Sequence, residues 1–177
     1  FIDGDCVLHP RFVEMHMHYA APNRILLGKR VKLSPSVSQI MLDGNILYPC
    51  RWWRLFNKGC RYADEGIFVP ICLDKPLRST RHLTGCNMSF SRTAILAING
   101  FDEEYVKPAV GEDADIDWRF RAKGYEFVSV RNRAIVYHLY HKESWTDQTE
   151  NLAIMQRKQT DKIIYCQKGL NQHLDGK

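Results

Sequence analysis

Asp3, Gly4 and Asp5 stand near the start of the chain, in the run "FIDGDCVLHP". Two carboxylates two residues apart in an extended segment share one face, so one can hold a divalent cation while the other orients a sugar or a water. An Asp-Gly pair between apolar runs is equally a two-residue hairpin signal. An EF-hand loop is excluded, because Cys6, Val7 and Leu8 occupy the places of further oxygen ligands. A second acidic group, "GEDADID", brings Glu112, Asp113, Asp115 and Asp117. Helix-dipole complementarity and pairing with Arg119 and Arg121 one turn later account for Asp115 and Asp117. Glu112 and Asp113 are adjacent like charges at a loop–helix junction, where a carboxylate can take a proton from a substrate hydroxyl in a partly dry site. The third group is His138 with His141, at the end of an apolar strand. Beside a carboxylate pair, an imidazole favours Mn2+ over Mg2+.

The elements that must position these groups alternate between strand and helix. "HPRFVEMHMHYAA" reads as a helix with Pro10 in its first turn, and "RILLGKRVKL" as a strand. "SPSVSQIMLDGN" carries a serine cap and an Asp-Gly stop. "CRWWRLFNKGCRYADEG" is helical or irregular, and the chain from there to Thr80 is rich in loops. "HLTGCNMSFS" reads as a strand entering the short helix "RTAILAI", which Ser91 caps and Asn99-Gly100 closes. "GEDADIDWRFRAKG" is the clearest helix, with acids first, bases last and Gly124 as its stop. "EFVSV" and "AIVYHLYH" are strands, and the segment after Thr146 reads as a long helical tail with Leu152, Met155, Ile163 and Tyr165 among its apolar positions. The alternation indicates a layered α/β domain.

With 177 residues, 45% of them hydrophobic, the chain can bury one sizeable core. No apolar run approaches the ~20 residues of a membrane-spanning helix. Six cysteines without a CxxC pair read as reduced, structural thiols of a cytosol-facing protein. The net charge of +5 is uneven: Arg51 to Arg92 holds eight Lys/Arg against three acids, which suits a phosphate-bearing partner or a solvated basic face. Nucleic acid is disfavoured by the acidic "GEDADID" and by the lack of a recognised nucleic-acid motif. Trp52 and Trp53 read as packing residues, and Asn87 as a group that either orients substrate or satisfies backbone.

In order along the chain, "FIDGD", "TGCNMSFSRTAILAINGFDEEY", "GEDADIDWRFRAKGY" and "AIVYHLYH" resemble the C-terminal half of a family 2 glycosyltransferase with the GT-A fold. The similarity is to the part shared with galactosyl- and N-acetylgalactosaminyltransferases, over about residues 1 to 141, with 34–81 poorly matched. What the resemblance implies is a partial GT-A α/β fold over residues 1–145, lacking its N-terminal Rossmann-like half, followed by a helical tail over 146–177. It implies Mn2+ or Mg2+ as cofactor, with Asp5 and His138 as metal ligands and His141 as the less favoured imidazole. Asp3 and Asp5 would contact the nucleotide sugar, Asp113 would be the catalytic base, and Glu112, Asp102 and Glu103 would face the acceptor. The partners implied are a nucleotide-diphosphate sugar and a saccharide or lipid-linked acceptor, on a cytoplasmic protein at the inner face of a membrane. Starting at Phe1 without a methionine, the chain reads as a fragment whose donor-binding half lies upstream, with low activity alone and a tendency to self-associate. The competing expectation is a non-catalytic carbohydrate- or partner-binding module, in which the paired aspartates are turn residues.

Overall fold

The computed structural model describes residues 1–44, 53–70, 76–107, 112–142 and 147–174. Two of the six cysteines, Cys50 and Cys72, lie outside them, as do Trp52 and the Gly111 that opens "GEDADID". The described residues form a mixed α/β protein with two three-stranded sheets. In chain order the elements are β1 (Cys6–Leu8), α1 (Phe12–Tyr19), β2 (Arg24–Leu27), β3 (Arg30–Lys32), α2 (Pro35–Leu42) and α3 (Trp53–Asn57). A 3-10 turn at Ala63–Gly66 precedes β4 (Met88–Phe90), α4 (Arg92–Leu96), α5 (Glu112–Ala122), β5 (Glu126–Ser129), β6 (Val136–His138), α6 (Thr149–Thr160) and α7 (Asn171–Leu174). No helix among the described residues is long and apolar enough to cross a membrane.

The chain divides into two compact units. The first comprises Phe1–Ala20, Leu26–Ser89 and Val128–Lys142, and contains the sheet β1-β6-β3. Its middle strand β6 runs antiparallel to β1 and parallel to β3. Val7, Tyr137 and Val31 are register partners, as are Cys6, His138 and Lys32. Because side chains alternate along a strand, these two rows face opposite sides of the sheet. The first row packs with Leu33, Val37, Met41, Leu55, Ala63 and Ile135 as one core. On the other side, Val136 joins Phe12, Met15, Tyr19, Leu26, Val128, Val130 and Ala134 in a second core, with Cys6 and Leu8 at its margin. That face therefore passes from apolar at Leu8 and Val136 to polar at Cys6, His138 and Lys32.

The segment "RILLGKRVKL", read as one strand, is two: β2 belongs to the sheet β4-β2-β5 and β3 to β1-β6-β3. The break is at Gly28, whose N–H donates to the Asn87 carbonyl at 2.9 Å. A Cβ on Gly28 would stand 2.1 Å from Asn87 Nδ2, so only glycine admits this approach. Asn87 is fully buried; its Nδ2 donates to the carbonyls of Lys29 at 2.8 Å and Ala134 at 2.9 Å. Its Oδ1 accepts from His16 Nε2 at 3.0 Å, and His16 Nδ1 lies 2.7 Å from Ser89 Oγ. Of the two roles open to Asn87 from the sequence, backbone satisfaction is the one these contacts serve.

The second unit comprises Ala21–Ile25, Phe90–Phe127 and Glu143–Lys177. Ser91 caps α4 by accepting from the Ala94 N–H at 3.1 Å, and Asn99 and Gly100 leave the helix with φ of 65° and 79°. α5 buries Asp115, Ile116, Asp117, Arg119 and Phe120. The Asp115–Arg119 pair, spaced like a surface ion pair, has both side chains at 0% exposure and 2.6 Å apart. Asp115 also accepts from Tyr105 Oη and Trp118 Nε1, and Arg119 donates to the Ile98 carbonyl, so the charges are taken up inside the unit.

The expected long tail is shorter than its pattern. α6 ends at Thr160, and Lys162 turns left-handed at φ 54°. The residues α6 buries are Asn151 and Lys158, seven apart, whereas Leu152 and Tyr165 are exposed. Polar anchoring replaces the apolar stripe: Asn151 Nδ2 donates to the Lys107 carbonyl, and Lys158 pairs with Asp102 and Glu104.

Candidate metal centre

Asp3 and Asp5 flank the turn that leads into β1, and His138 ends β6. The register that pairs Cys6 with His138 brings the two sequence-distant groups together. Ligand atoms of Asp3, Asp5, Cys6 and His138 all lie within 4.8 Å of one another. His138 Nε2 is 3.5 Å from Asp5 Oδ1, and His141 Nε2 is 3.4 Å from Asp5 Oδ2. Thus Asp5 stands between both imidazoles, one buried and one exposed.

The tautomer follows from the other ring atom. His138 Nδ1 lies 3.0 Å from the Leu139 carbonyl, which only accepts, so Nδ1 carries the proton and Nε2 presents its lone pair toward Asp5. His141 repeats the arrangement, with Nδ1 3.2 Å from the Lys142 carbonyl. Burial lowers the pKa of His138 below the ordinary histidine value, although the Asp5 carboxylate pulls the other way. A neutral imidazole beside two carboxylates is a donor set that fits a borderline divalent cation.

Cys6 completes the group. Its thiol is pushed far up by a hydrogen bond with Cys86, by burial and by nearby negative charge. Cys86 is shifted the opposite way, chiefly by the Cys6 bond and then by Arg30, whose Nη1 donates to its sulfur at 3.3 Å. The same Arg30 nitrogen lies 3.6 Å from Asp3 Oδ2. Two carboxylates and one imidazole make oxygen and nitrogen the majority donors of the group, a set that a borderline divalent cation can occupy. The sequence reading gave Cys6, Arg30 and Cys86 no role at the metal group. The alternation of Arg30, Val31 and Lys32, with the apolar residue in between, was the signal for Arg30.

The other predicted site residues belong to the second unit. Glu112, exposed, and Asp113, half-buried, open α5. Asp102 is buried against Lys158 and accepts from the Glu104 N–H at 3.1 Å. Its carboxylate is engaged in holding its own loop to α6. Glu103 is exposed and pairs with His173.

A family model described as the N-terminal domain of galactosyltransferase matches residues 73–142. Residues 73–142 are galactosyltransferase-like. The matched stretch contains Asn87, Asp102, Glu103, Glu112, Asp113, His138 and His141, whereas Asp3 and Asp5 precede it. A search of curated proteins finds no match. The galactosyltransferase-like region supports a glycosyltransferase, and with it a nucleotide-sugar donor and an acceptor in general terms.

Proposed function

We propose that this chain is the metal- and acceptor-side part of a GT-A glycosyltransferase of family 2, resembling the C-terminal half of that fold, that moves a sugar from a nucleotide-diphosphate sugar to an acceptor hydroxyl with inversion. The observation that carries the reading is the convergence of Asp3, Asp5 and His138, far apart in sequence, with His138 Nε2 turned toward Asp5. Asp5 and His138 would hold Mn2+ or Mg2+, and Asp3 would face the donor's ribose or a metal-bound water. When bound, the cation would neutralise charge on the departing nucleoside diphosphate.

Asp113 would accept the proton of the acceptor hydroxyl as its oxygen bonds to the anomeric carbon and the bond from that carbon to the diphosphate breaks. Glu112 and Glu103, both exposed, would contact the acceptor, and Asp102 would set the Glu103 loop through Lys158. Holding both substrates in one orientation would supply much of the remaining acceleration.

The test is Mn2+ titration by calorimetry, followed by transfer assays on the full protein. Asp5→Ala should weaken Mn2+ binding at least tenfold, and Asp113→Asn should leave it unchanged while abolishing transfer. Unaltered Mn2+ binding in Asp5→Ala removes the metal assignment. Normal turnover in Asp113→Asn removes the base. Absence of any Mn2+-dependent rise in melting temperature would favour the binding-module reading instead.

A further inference from the structure

Two free thiols of the first unit meet beside the metal centre. Cys6 opens β1, and Cys86 stands two residues before β4, in a turn where the Asn87 N–H donates to the Thr84 carbonyl at 2.9 Å. The backbone ties these segments together, since Phe1 and Met88 exchange hydrogen bonds of 2.7 and 3.3 Å. The two thiols hydrogen-bond to each other. They differ in access: Cys6 is half-buried and Cys86 fully buried. The other free thiols among the described residues have different company. Cys60 Sγ accepts from the Ser34 N–H, and Cys166 Sγ donates among the carbonyls of Ile98, Asn99, Gly100 and Phe101 in the second unit.

Each sulfur of the pair also touches the metal group. Cys6 Sγ lies within 4.8 Å of ligand atoms of Asp3, Asp5 and His138. Cys86 Sγ accepts from Arg30 Nη1 at 3.3 Å, and the same nitrogen lies 3.6 Å from Asp3 Oδ2. Arg30 is thus shared between a sulfur and a carboxylate of the group. A disulfide draws its sulfurs to about 2.05 Å, closer than any hydrogen-bonded contact. Bridging would therefore pull Cys6 Sγ away from the carboxylates and the imidazole. It would also weaken the sulfur as an acceptor for Arg30, which would turn toward Asp3 and compete with a cation there.

We propose that Cys6 and Cys86 form a reversible disulfide that lowers the affinity of the metal centre for its cation. The cation half of this statement rests on the metal assignment made above; the disulfide does not. The oxidant is a small disulfide of the glutathione class. Cys6 Sγ, the accessible sulfur, bonds to one sulfur of that disulfide, whose S–S bond breaks, and a first small thiol leaves with the Cys6 proton. Cys86 Sγ then bonds to Cys6 Sγ, and the second small thiol leaves with the Cys86 proton. Arg30 steadies the negative charge on Cys86 Sγ as it attacks. Two cysteines are oxidised and one small disulfide is reduced to two thiols. In a reducing compartment such a bridge is transient, which suits a sensor more than a staple.

The experiment incubates the full chain with oxidised glutathione, alkylates the remaining thiols and maps the digest by mass spectrometry. A peptide joining Cys6 to Cys86 is expected, and it should disappear on reduction. Calorimetry then compares Mn2+ binding by the oxidised and reduced chains after the small thiols are removed. The bridge should weaken binding roughly tenfold, as altered supports of a metal ligand do, and reduction should restore it. Because linkage is reciprocal, saturating Mn2+ should shift the pair's equilibrium with glutathione toward the dithiol by the same factor. Cys86→Ser should abolish both the bridge and the response of Mn2+ affinity to oxidant, with Cys60→Ser as the control that keeps both. Reversal by reductant in the unaltered chain decides the matter without any variant. No bridge, a bridge to another cysteine, or an oxidant response that persists in Cys86→Ser overturns the proposal. Equal Mn2+ affinity in the two states overturns the coupling alone, whereas a reduced chain that binds no Mn2+ removes the metal assignment and the coupling with it.

Discussion

Replacing Gly28 by alanine adds one methyl group at the point where β2 gives way to β3. The new Cβ would lie 2.1 Å from Asn87 Nδ2, 2.3 Å from Cγ and 2.5 Å from Oδ1. Asn87 cannot retreat freely, because its amide already bonds to Lys29, Ala134 and His16 within 3.0 Å. Overpacking a tight interior costs ~1–3 kcal/mol, and leaving one buried polar group unpaired adds a comparable amount. The sum is about 3 kcal/mol, which for a chain of this size lowers the melting temperature by roughly 6–12 °C. Thermal unfolding followed by circular dichroism measures it, with Gly85→Ala as the control, since no atom lies within 4 Å of a Cβ there. If the two variants melt within 2 °C of each other, the contact with Asn87 does not separate the strands.

Acidification tests the same cluster, because burial depresses His16 from the ordinary histidine value of 6.5 to about 4. The unfolded chain then binds the proton more readily, so stability contributed by His16 is present above its unfolded pKa and falls as pH drops from 6.5 toward 4. The loss is about 3 kcal/mol, to be read from urea unfolding against pH, with the ring titration itself followed by NMR. For His138 the shift is also downward, so Mn2+ affinity should hold as pH falls to the ordinary histidine range and decline only below it. A decline beginning above neutrality would contradict a neutral, buried ligand. In the second unit, Lys158→Met should destabilise by ~3–5 kcal/mol by stranding Asp102, and the double change with Asp102→Leu should recover most of that loss in chemical denaturation.

Local signals were legible where they decided local structure. The serine caps at Ser34 and Ser91, the acid-first and base-last order of α5 and the left-handed stop at Gly124 all place helix ends where they lie. Two features were not legible, since each depends on a distant partner. Gly28 ends a strand only because Asn87, remote in sequence, comes against its backbone. Asp115 and Arg119 have the spacing of a solvated pair, and nothing in the spacing says that Tyr105, Trp118 and the Ile98 carbonyl enclose them. The tail misled for a related reason: its apolar residues suggested a stripe, but Asn151 and Lys158 do the anchoring. For the candidate site, the carboxylate pair and the late histidine were each weak alone. Their meeting depends on antiparallel pairing of β1 with β6, which no local pattern specifies.

The central position of β6 has a consequence for how the cluster comes into being. Tyr137 is clamped between Val7 and Val31, and its aromatic ring acts as an index pin for the strand. A slip by a single residue would send the ring to the wrong face and carry the imidazole away from the carboxylates. Half-assembled versions of the cluster therefore have no stable sheet to rest on. A cation held by the proposed cluster would therefore favour the paired strands over the open chain, and chelating it would lower the unfolding midpoint.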